Sequence, residues 1–406
     1  MLPDGVPVYI PEALPEELIA VRPVARRGEG WVATVESVLD PSPDRVVPGC
    51  AHFGVCGGCT LQHWNQSGYL AWKTALLEAA LRRAGYGDVV CGTIEAGSGY
   101  DRRRMDLAAR RVQGGLRLGL HQTRSGEIVD LTECRVLHPD LFALLPGLRA
   151  LLVRLKALRR EGSVVANLLD SGVDLLLRTE LEPSFEDRAL LIAFARTHDL
   201  ARISWTRDNN EPEPICVMRP PTTMMSGVSM TPPPGGFLQA TAAGEQAIVA
   251  AVLAGLPAKL PAKARVADLY AGCGTITFGL AQRVRVAAWE GDRASVLGLR
   301  GGINAAGLMG KIEVTQRDLA RQPITTKEFA GFTAVVLDPP HAGALAQIAQ
   351  IAIAKPPIVI YVSCNPGALA RDAKLLHDAG YRLTRVTPID QFTWSSRLES
   401  VSVFVV

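Results

Sequence analysis

The C-terminal part of the sequence, from Phe237 onward, alternates regularly between apolar segments and helix-like stretches. Its apolar segments are RVADLY, RVAAWE, IEVTQRD, TAVVLDPP, PIVIYVSCNP, RLTRVTPID and ESVSVFVV. Strands that alternate with helices of about 10–15 residues fold into a mostly parallel sheet with helices on both faces. We therefore predict an α/β fold with a doubly wound, Rossmann-like sheet over residues 236–406.

The remainder of the 406-residue chain is long enough for one or two further domains. Residues 1–49 contain two or three strand patterns around a Gly-Glu-Gly turn, which predicts a β-module too small for a complete barrel. Residues 50–235 mix strand and helix patterns and predict an α+β central domain, whose clearest helix is LFALLPGLRALLVRLKALRR. This part ends in RPPTTMMSGVSMTPPPGG, which is typical of a domain boundary or an active-site loop.

Charge and hydropathy restrict the partners of the chain. The net charge is +3, and seven arginines lie between Arg102 and Arg124 among alternating apolar residues. We interpret this segment as a strand pair with a basic face that contacts the phosphates of RNA, the alternative being an ordinary solvated face. The sequence has neither an apolar run that would span a membrane nor a secretory signal, so we expect a cytoplasmic protein, favoured as a monomer.

Polar residues follow the predicted strands where each strand ends. They are Asp268, Glu290, Asp318, Asp338 and Cys364. Because ligands bind beyond the carboxyl ends of the strands in open α/β sheets, this edge is the predicted active site.

The segment DLYAGCGT, residues 268–275, predicts a cofactor site. Its glycines allow close approach of a ligand to the backbone, and the acid Glu290 lies about 20 residues further on, where it can bind ribose hydroxyls. Neither a GxGxxG motif nor a Walker-type lysine is present, so S-adenosylmethionine fits better than a dinucleotide. Asp318 is placed for the adenine amino group, although a helix N-cap is an equally good interpretation.

The segments VVLDPPHAG and IYVSCNP predict the chemistry. Two prolines after Asp338 make a rigid platform for a planar base, and Cys364 at the next strand end is either a buried packing residue or a nucleophile. Attack of Cys364 on C6 of uracil would activate C5 for methylation, and a base must then remove the C5 proton. Glu399 is the remaining acid near this edge, and its alternative is an ordinary solvated side chain.

Four cysteines suggest a metal centre. They are Cys50, Cys56, Cys59 and the more distant Cys134. Four thiolates suit either tetrahedral zinc or a [4Fe–4S] cluster, and the spacing alone favours zinc slightly.

The motifs DLYAGCGT, DPPHAG, SCNPGALARD and DQFTWSSRLESV closely resemble those of the class I S-adenosylmethionine-dependent RNA 5-methyluridine methyltransferases, which act on tRNA or 23S rRNA. The resemblance covers residues 237–406 and extends upstream through the cysteines. It has three departures: His341 replaces the usual Arg, Thr275 replaces the Asn of some members, and Arg397 replaces the usual His.

This resemblance implies that Cys364 is the nucleophile and that Glu399 is the proton acceptor. It implies that the methyl donor S-adenosylmethionine is bound by Gln239, Tyr270, Thr275, Glu290, Asp318 and Asp338. It also implies a [4Fe–4S] cluster on Cys50, Cys56, Cys59 and Cys134. The β-module resembles a shortened TRAM-type RNA-binding domain, and the cysteines favour 23S rRNA over tRNA as the substrate.

Other functions remain open at this point. A uridine-54 type tRNA methyltransferase has the same motifs, and an enzyme that methylates an amino group would use DPPH without Cys364. A protein that binds RNA through an iron–sulfur domain and has lost activity would need neither Cys364 nor Glu399.

Overall fold

The computed structural model describes residues 5–208 and 210–406. In this part of the chain the strands are β1 Val8–Tyr9, β2 Leu18–Arg27, β3 Gly30–Asp40, β4 Glu95–Ala96, β5 Arg104–Val112, β6 Gly115–His121, β7 Ile128–Asp130, β8 Glu161–Leu169, β9 Gly172–Thr179, β10 Arg202–Thr206, β11 Glu213–Val217, β12 Thr223–Met225, β13 Val228–Met230, β14 Arg265–Leu269, β15 Arg285–Glu290, β16 Ile312–Gln316, β17 Ala334–Leu337, β18 Ile358–Ser363, β19 Arg382–Asp390 and β20 Glu399–Val405. The helices are α1 Gln66–Arg83, α2 Pro139–Ala143, α3 Leu145–Arg154, α4 Phe185–Thr197, α5 Ala242–Gly255, α6 Thr275–Ala281, α7 Arg293–Ala305, α8 Leu345–Ala354 and α9 Pro366–Asp378.

The C-terminal strands form the predicted doubly wound sheet. Its strand order is β16-β15-β14-β17-β18-β20-β19-β4, and β20 runs antiparallel to both of its neighbours. Alternate residues of β17 and β18 enter two separate cores, with Val336 and Ile360 on one face and Val335 and Val359 on the other. Helices α5, α6 and α7 cover the first face, and α1, α8 and α9 cover the second. The α/β prediction is therefore confirmed.

Two elements from the predicted central domain join this C-terminal sheet. Helix α1 packs its residues Leu77 and Leu81 into the core beside α9. Strand β4 extends the sheet by pairing in parallel with the end of β19. The boundaries proposed at residues 49/50 and 235/236 stay a prediction. Helix α1 and strand β4 precede the second boundary in the sequence but pack with the C-terminal sheet.

A buried ion pair fastens α1 to the end of β19. The Lys73 ammonium lies 2.6 Å from Asp390 Oδ1 and donates to the carbonyl oxygen of Phe392 at 3.1 Å. Neither charged side chain is exposed to solvent. Because the chain enters the loop 391–398 directly after Asp390, this pair fixes where that loop begins.

Replacing Lys73 by methionine is expected to lower the free energy of unfolding by about 3–5 kcal/mol, because Asp390 would stay buried without a counter-charge. The double variant K73M/D390L should recover much of this loss, and urea titration measures both. Lys374→Met, at the exposed Lys374–Asp378 pair, is the matched control and should change stability little. If K73M is as stable as Lys374→Met, the Lys73–Asp390 ion pair does not stabilise the fold as described here.

The central strands form a second, mixed sheet in the order β11-β10-β9-β8-β5-β6-β7. Helices α3 and α4 pack on one face of it through Leu148, Leu152 and Leu191. The helix region predicted over LFALLPGLRALLVRLKALRR is helical as far as Arg154 and is wrong beyond it. Pro146 lies in the first turn of α3, where its missing N–H is tolerated, so the chain forms α2 and α3 instead and leaves the helix after Arg154.

The arginine-rich segment is the hairpin of β5 and β6, as its alternation predicted. The prediction of a phosphate-facing role is wrong for two of its arginines. Arg103 is buried, pairs with Glu245 and donates to the carbonyl oxygen of Gln239 at 3.1 Å. Arg111 donates to the carbonyl oxygens of Leu155 and Leu158 after the end of α3, at 2.8 and 2.7 Å.

The described residues of the N-terminal module form a three-stranded sheet in the order β1-β3-β2. This agrees with the predicted small β-module, and its likeness to an RNA-binding barrel stays a prediction. Within residues 5–208 and 210–406, none of the helices has the length and apolarity needed to cross a membrane.

Candidate active site

Strand pairing brings Cys364 and Glu399 to the same edge of the sheet. Strands β18 and β20 are antiparallel, with Ser363 opposite Ser400. Cys364 follows the last residue of β18, and Glu399 is the first residue of β20, so the pairing makes them cross-strand neighbours. Cys364 is partly exposed, whereas Glu399 is buried. Cys364 is therefore accessible at the edge of the sheet, as a nucleophile requires.

Gln391 links Glu399 to the predicted donor site. Its amide nitrogen donates to Glu399 Oε2 and to Gln239 Oε1, both at 2.8 Å. Its amide oxygen accepts from the backbone N–H of Ala240 at 3.0 Å, which fixes the orientation of the side chain. Gln239 in turn donates to Asp338 Oδ2 at 3.2 Å. A continuous chain of hydrogen bonds thus runs from the predicted base to the acid that follows β17.

The two carboxyl groups of this network act on each other, with Glu399 buried and Asp338 partly buried. Burial raises the pKa of Glu399 to about 8, the charge of Asp338 acts in the same direction, and the bond from Gln391 opposes the rise. Burial likewise raises the pKa of Asp338 to about 7. Groups with such pKa values exchange protons near neutral pH, as expected of a general base.

The same two carboxyl groups act on the thiol of Cys364. Burial raises its pKa to about 11, and the charges of Glu399 and Asp338 add to this effect. The charge of Arg397 lowers the pKa. Formation of the thiolate therefore needs a compensating interaction at the sulfur.

The turn after β14 leaves room for a ligand. Tyr270, Gly272 and Gly274 all have positive φ angles, of 63°, 55° and 103°. A Cβ atom at Gly274 would lie 2.5 Å from the side chain of Leu299, so this position requires glycine, whereas the space beside Gly272 is open. Glu290 accepts from the backbone N–H of Gly272 at 2.8 Å, which holds its carboxylate against the turn.

The other predicted donor-site residues have additional local roles. Asp318 accepts from the backbone N–H groups of Ala320 and Arg321 at 3.0 and 3.2 Å, so it caps a turn. Residues 319–321 form a turn and not a helix, so the helix N-cap considered as its alternative is wrong. Thr275 begins α6, and its hydroxyl lies 3.5 Å from the sulfur of Met225. Gly291, next to Glu290, lies against Asp318, so the two predicted acids are neighbours at one edge.

The four predicted metal-binding cysteines line one cavity, with walls that include Phe53, Leu120 and Leu131. These residues are Cys50, Cys56, Cys59 and Cys134, and all four are free thiols. Burial raises the pKa of Cys59 to about 11, so thiolates here would need a cation to stabilise them. In the described residues no group of three or more His, Cys, Asp or Glu side chains has an arrangement suited to one metal ion. This arrangement by itself supports neither the zinc nor the [4Fe–4S] interpretation.

The loop that precedes Glu399 is held by one of these cysteine segments. The backbone N–H groups of Thr60 and Leu61, which follow Cys59, both donate to the carbonyl oxygen of Trp394, at 2.7 and 2.9 Å. These two hydrogen bonds link the segment that follows Cys59 to the loop that leads to Glu399.

Comparison with known proteins identifies the family. A sequence model of the tRNA (uracil-5-)-methyltransferase family matches residues 237–405. An uncharacterized RNA methyltransferase of Brucella melitensis is 40% identical over 99% of this chain and 93% of its own length. The 23S rRNA (uracil(1939)-C(5))-methyltransferase RlmD of Yersinia enterocolitica is 35% identical over 99% of this chain and 91% of its own length. The chain belongs to the RNA uracil-C5 methyltransferase family.

A solved structure has the same fold as this RNA uracil-C5 methyltransferase over nearly its whole length. It is the Pyrococcus abyssi tRNA (uracil-54, C5)-methyltransferase in complex with S-adenosyl-L-homocysteine. The TM-score is 0.75, with 98% of this chain and 95% of the other covered, at 21% identity. Family membership confirms the predicted activity, an S-adenosylmethionine-dependent RNA (uracil-5-)-methyltransferase. The roles of individual residues stay predictions.

Two residues of the site were missed as functional groups by the sequence analysis. Gln391 lies in the quoted motif DQFTWSSRLESV, but its bonds to Glu399 and Gln239 depend on how a loop folds back over the sheet. His341 was noted only as a departure from the family pattern, and its contact with Cys364 had no signal in the sequence beyond its place after DPP.

Proposed function

We propose that this methyltransferase modifies C5 of a uridine in 23S rRNA through a covalent bond between Cys364 and C6 of the base. The observation that supports the mechanism best is the strand register, which pairs an accessible thiol with a buried carboxyl group across β18 and β20. An enzyme that methylated an exocyclic amine would need neither the thiol nor the base at these positions.

The two residues act in sequence on a uracil flipped out of its RNA. Cys364 sulfur adds to C6, and the electrons of the C5–C6 double bond make C5 a nucleophile. S-adenosylmethionine would supply the methyl group as an electrophile, with its S–CH₃ bond breaking and S-adenosylhomocysteine leaving. Glu399 then takes the proton from C5, the double bond forms again, and the bond between C6 and Cys364 breaks. The thiolate is released unchanged, so the step balances without an oxidant or a reductant.

The donor site is proposed to form between the turn after β14 and the acids at neighbouring strand ends. Glu290 would bind the ribose hydroxyls, and Asp318 the adenine amino group through the oxygen that does not cap its own turn. Gln239 and Asp338 would hold the amino-acid end, since Asp338 bonds to Leu269 at the end of β14 and its charge acts on the thiol of Cys364. Tyr270 and Thr275 would flank the ligand on the glycine turn.

The choice of 23S rRNA follows the Yersinia relative, which is named for that substrate and matches the chain almost end to end. The test is nucleoside mass spectrometry of rRNA and tRNA from a strain that lacks the gene. We expect 5-methyluridine to disappear from one site of 23S rRNA and to be unchanged in tRNA. Loss from tRNA with intact 23S rRNA would overturn the substrate assignment and would leave the mechanism in place.

We also propose that Cys50, Cys56, Cys59 and Cys134 hold a [4Fe–4S] cluster. The four thiols line one apolar cavity, which supports a shared centre, and the family resemblance favours [4Fe–4S] over zinc. Methyl transfer moves no net electrons, so the cluster would have a structural role. Its place next to Thr60 and Leu61 would let it stabilise the loop that leads to Glu399.

Protein purified without oxygen is expected to contain about four iron atoms and four sulfides per chain. Cys59→Ser should lose most of both, because a serine hydroxyl is a poor ligand for iron. The matched control is Cys216→Ser, a thiol of β11 at the opposite end of the central sheet from β6, which contributes Leu120 to the cavity. Zinc in place of iron, or equal iron content in the two variants, would contradict the cluster assignment.

A further inference from the structure

His341 lies directly beside the predicted nucleophile. Its Nδ1 atom is 3.6 Å from the sulfur of Cys364. The loop that carries it is rigidly held, since the carbonyl oxygen of Ala342 accepts from Arg371 at 2.9 Å and the backbone N–H of Ala344 donates to Asp372 at 2.7 Å. The contact is therefore a fixed feature of the loop between β17 and α8.

Asn365 determines which nitrogen of the His341 ring carries the proton. Its side-chain oxygen accepts from the backbone N–H of Gly367 at 3.0 Å, and its side-chain nitrogen donates to the carbonyl oxygen of His341 at 2.9 Å. With the amide fixed in this way, its NH₂ group also faces Nε2 of His341 at 3.4 Å. A donor opposite Nε2 favours the tautomer in which Nε2 accepts and Nδ1 carries the hydrogen.

We propose that His341 donates a hydrogen bond from Nδ1 to the sulfur of Cys364 and thereby stabilises its thiolate, with Asn365 as the positioning residue. This rests on the proposed nucleophilic role of Cys364. His341 acts as a donor and not as the base that removes the thiol proton. A base would need a free lone pair on Nδ1, which places the ring hydrogen on Nε2. That N–H group would then point at the NH₂ group of Asn365, which is itself a donor. The thiol proton leaves to solvent, which reaches His341 and Cys364 at the surface.

The reaction requires such a donor at two stages. The charged groups that act on the sulfur are Glu399, Asp338 and Arg397, and the two carboxylates oppose its ionisation. A hydrogen bond to the sulfur favours the thiolate before it attacks C6. It also stabilises the same thiolate when the C6–S bond breaks, since the sulfur then recovers the electron pair of that bond.

The test is the rate at which iodoacetamide alkylates Cys364 in the full-length enzyme without RNA, followed by peptide mass spectrometry between pH 7 and 10. Cys216 in the same sample is the internal reference. We expect His341→Ala to slow alkylation of Cys364 about tenfold at pH 8 and to shift its pH profile upward. His341→Asn places an amide nitrogen near the position of Nδ1 and should restore the rate to within about threefold of the wild type.

The outcomes separate this proposal from the one it rests on. If His341→Ala leaves the alkylation profile unchanged, the hydrogen bond is without effect and the proposal is wrong. If His341→Asn is as slow as His341→Ala, the ring acts as a base and the assignment as a donor is overturned. If alkylation depends on His341 as expected but Cys364→Ala retains full methyltransferase activity, the covalent mechanism fails and the contact stands.

Discussion

Cys364→Ala is expected to lower the rate of methyl transfer to RNA by at least about 10⁴-fold, which is the scale of losing a nucleophile that acts at the reacting atom. C5 of uracil is a weak nucleophile until a group adds to C6, and among the described residues Cys364 is the thiol placed across the strands from Glu399. Cys273, the cysteine of the glycine turn, is buried against the core of the sheet and does not replace it.

Transfer of a radioactive methyl group from S-adenosylmethionine to RNA measures this loss. The same Cys364→Ala sample should still bind S-adenosylmethionine, as measured by calorimetry, because Cys364 is proposed to contact the base and not the methyl donor. Cys216→Ala is the matched control and should retain wild-type activity. Substantial activity in Cys364→Ala would remove the covalent mechanism and would favour methylation of another atom.

The C-terminal sheet was predictable because its strands are buried on both faces and are separated by helices of ordinary length. Such strands read as short apolar runs, and their polar last residues identified the edge where Asp338 and Cys364 lie. The order of the strands was not predictable from these runs. In particular, the insertion of β20 between β18 and β19 is what places Glu399 beside Cys364.

The prediction was weaker where a residue type has several uses. Arginine binds phosphates, but its guanidinium also satisfies backbone carbonyl groups and buried acids, and Arg111 and Arg103 are used in these two ways. Helix α1 shows a similar limit, because its apolar face does not specify which core it covers. It packs on α9 across more than two hundred residues of intervening chain, and the Lys73–Asp390 pair that holds it there is recognised only in three dimensions.

Glu399→Gln is expected to stop the reaction after methyl transfer and to leave the RNA covalently bound to the enzyme. A glutamine preserves the shape of the side chain, and its amide oxygen can still accept the bond from Gln391. It cannot take the proton from C5, so the C5–C6 double bond does not form again and the bond to Cys364 does not break. Turnover should fall by about 10²–10⁴-fold, the usual contribution of a general base.

An RNA–protein band that resists denaturing gel electrophoresis, and that carries the labelled methyl group, is the measurement. The double variant C364A/E399Q must lack this band, because the sulfur is one end of the bond.

The pH dependence of the wild type gives a further check, since Glu399 is active only as the carboxylate. With its pKa raised to about 8 by burial and by Asp338, turnover should rise as the pH increases toward 8, and the residual turnover of Glu399→Gln should lack this dependence. A Glu399→Gln enzyme that accumulates no adduct and keeps the wild-type pH profile would show that another group removes the proton. The carboxyl groups of Glu399 and Asp338 would then serve only to shape the site.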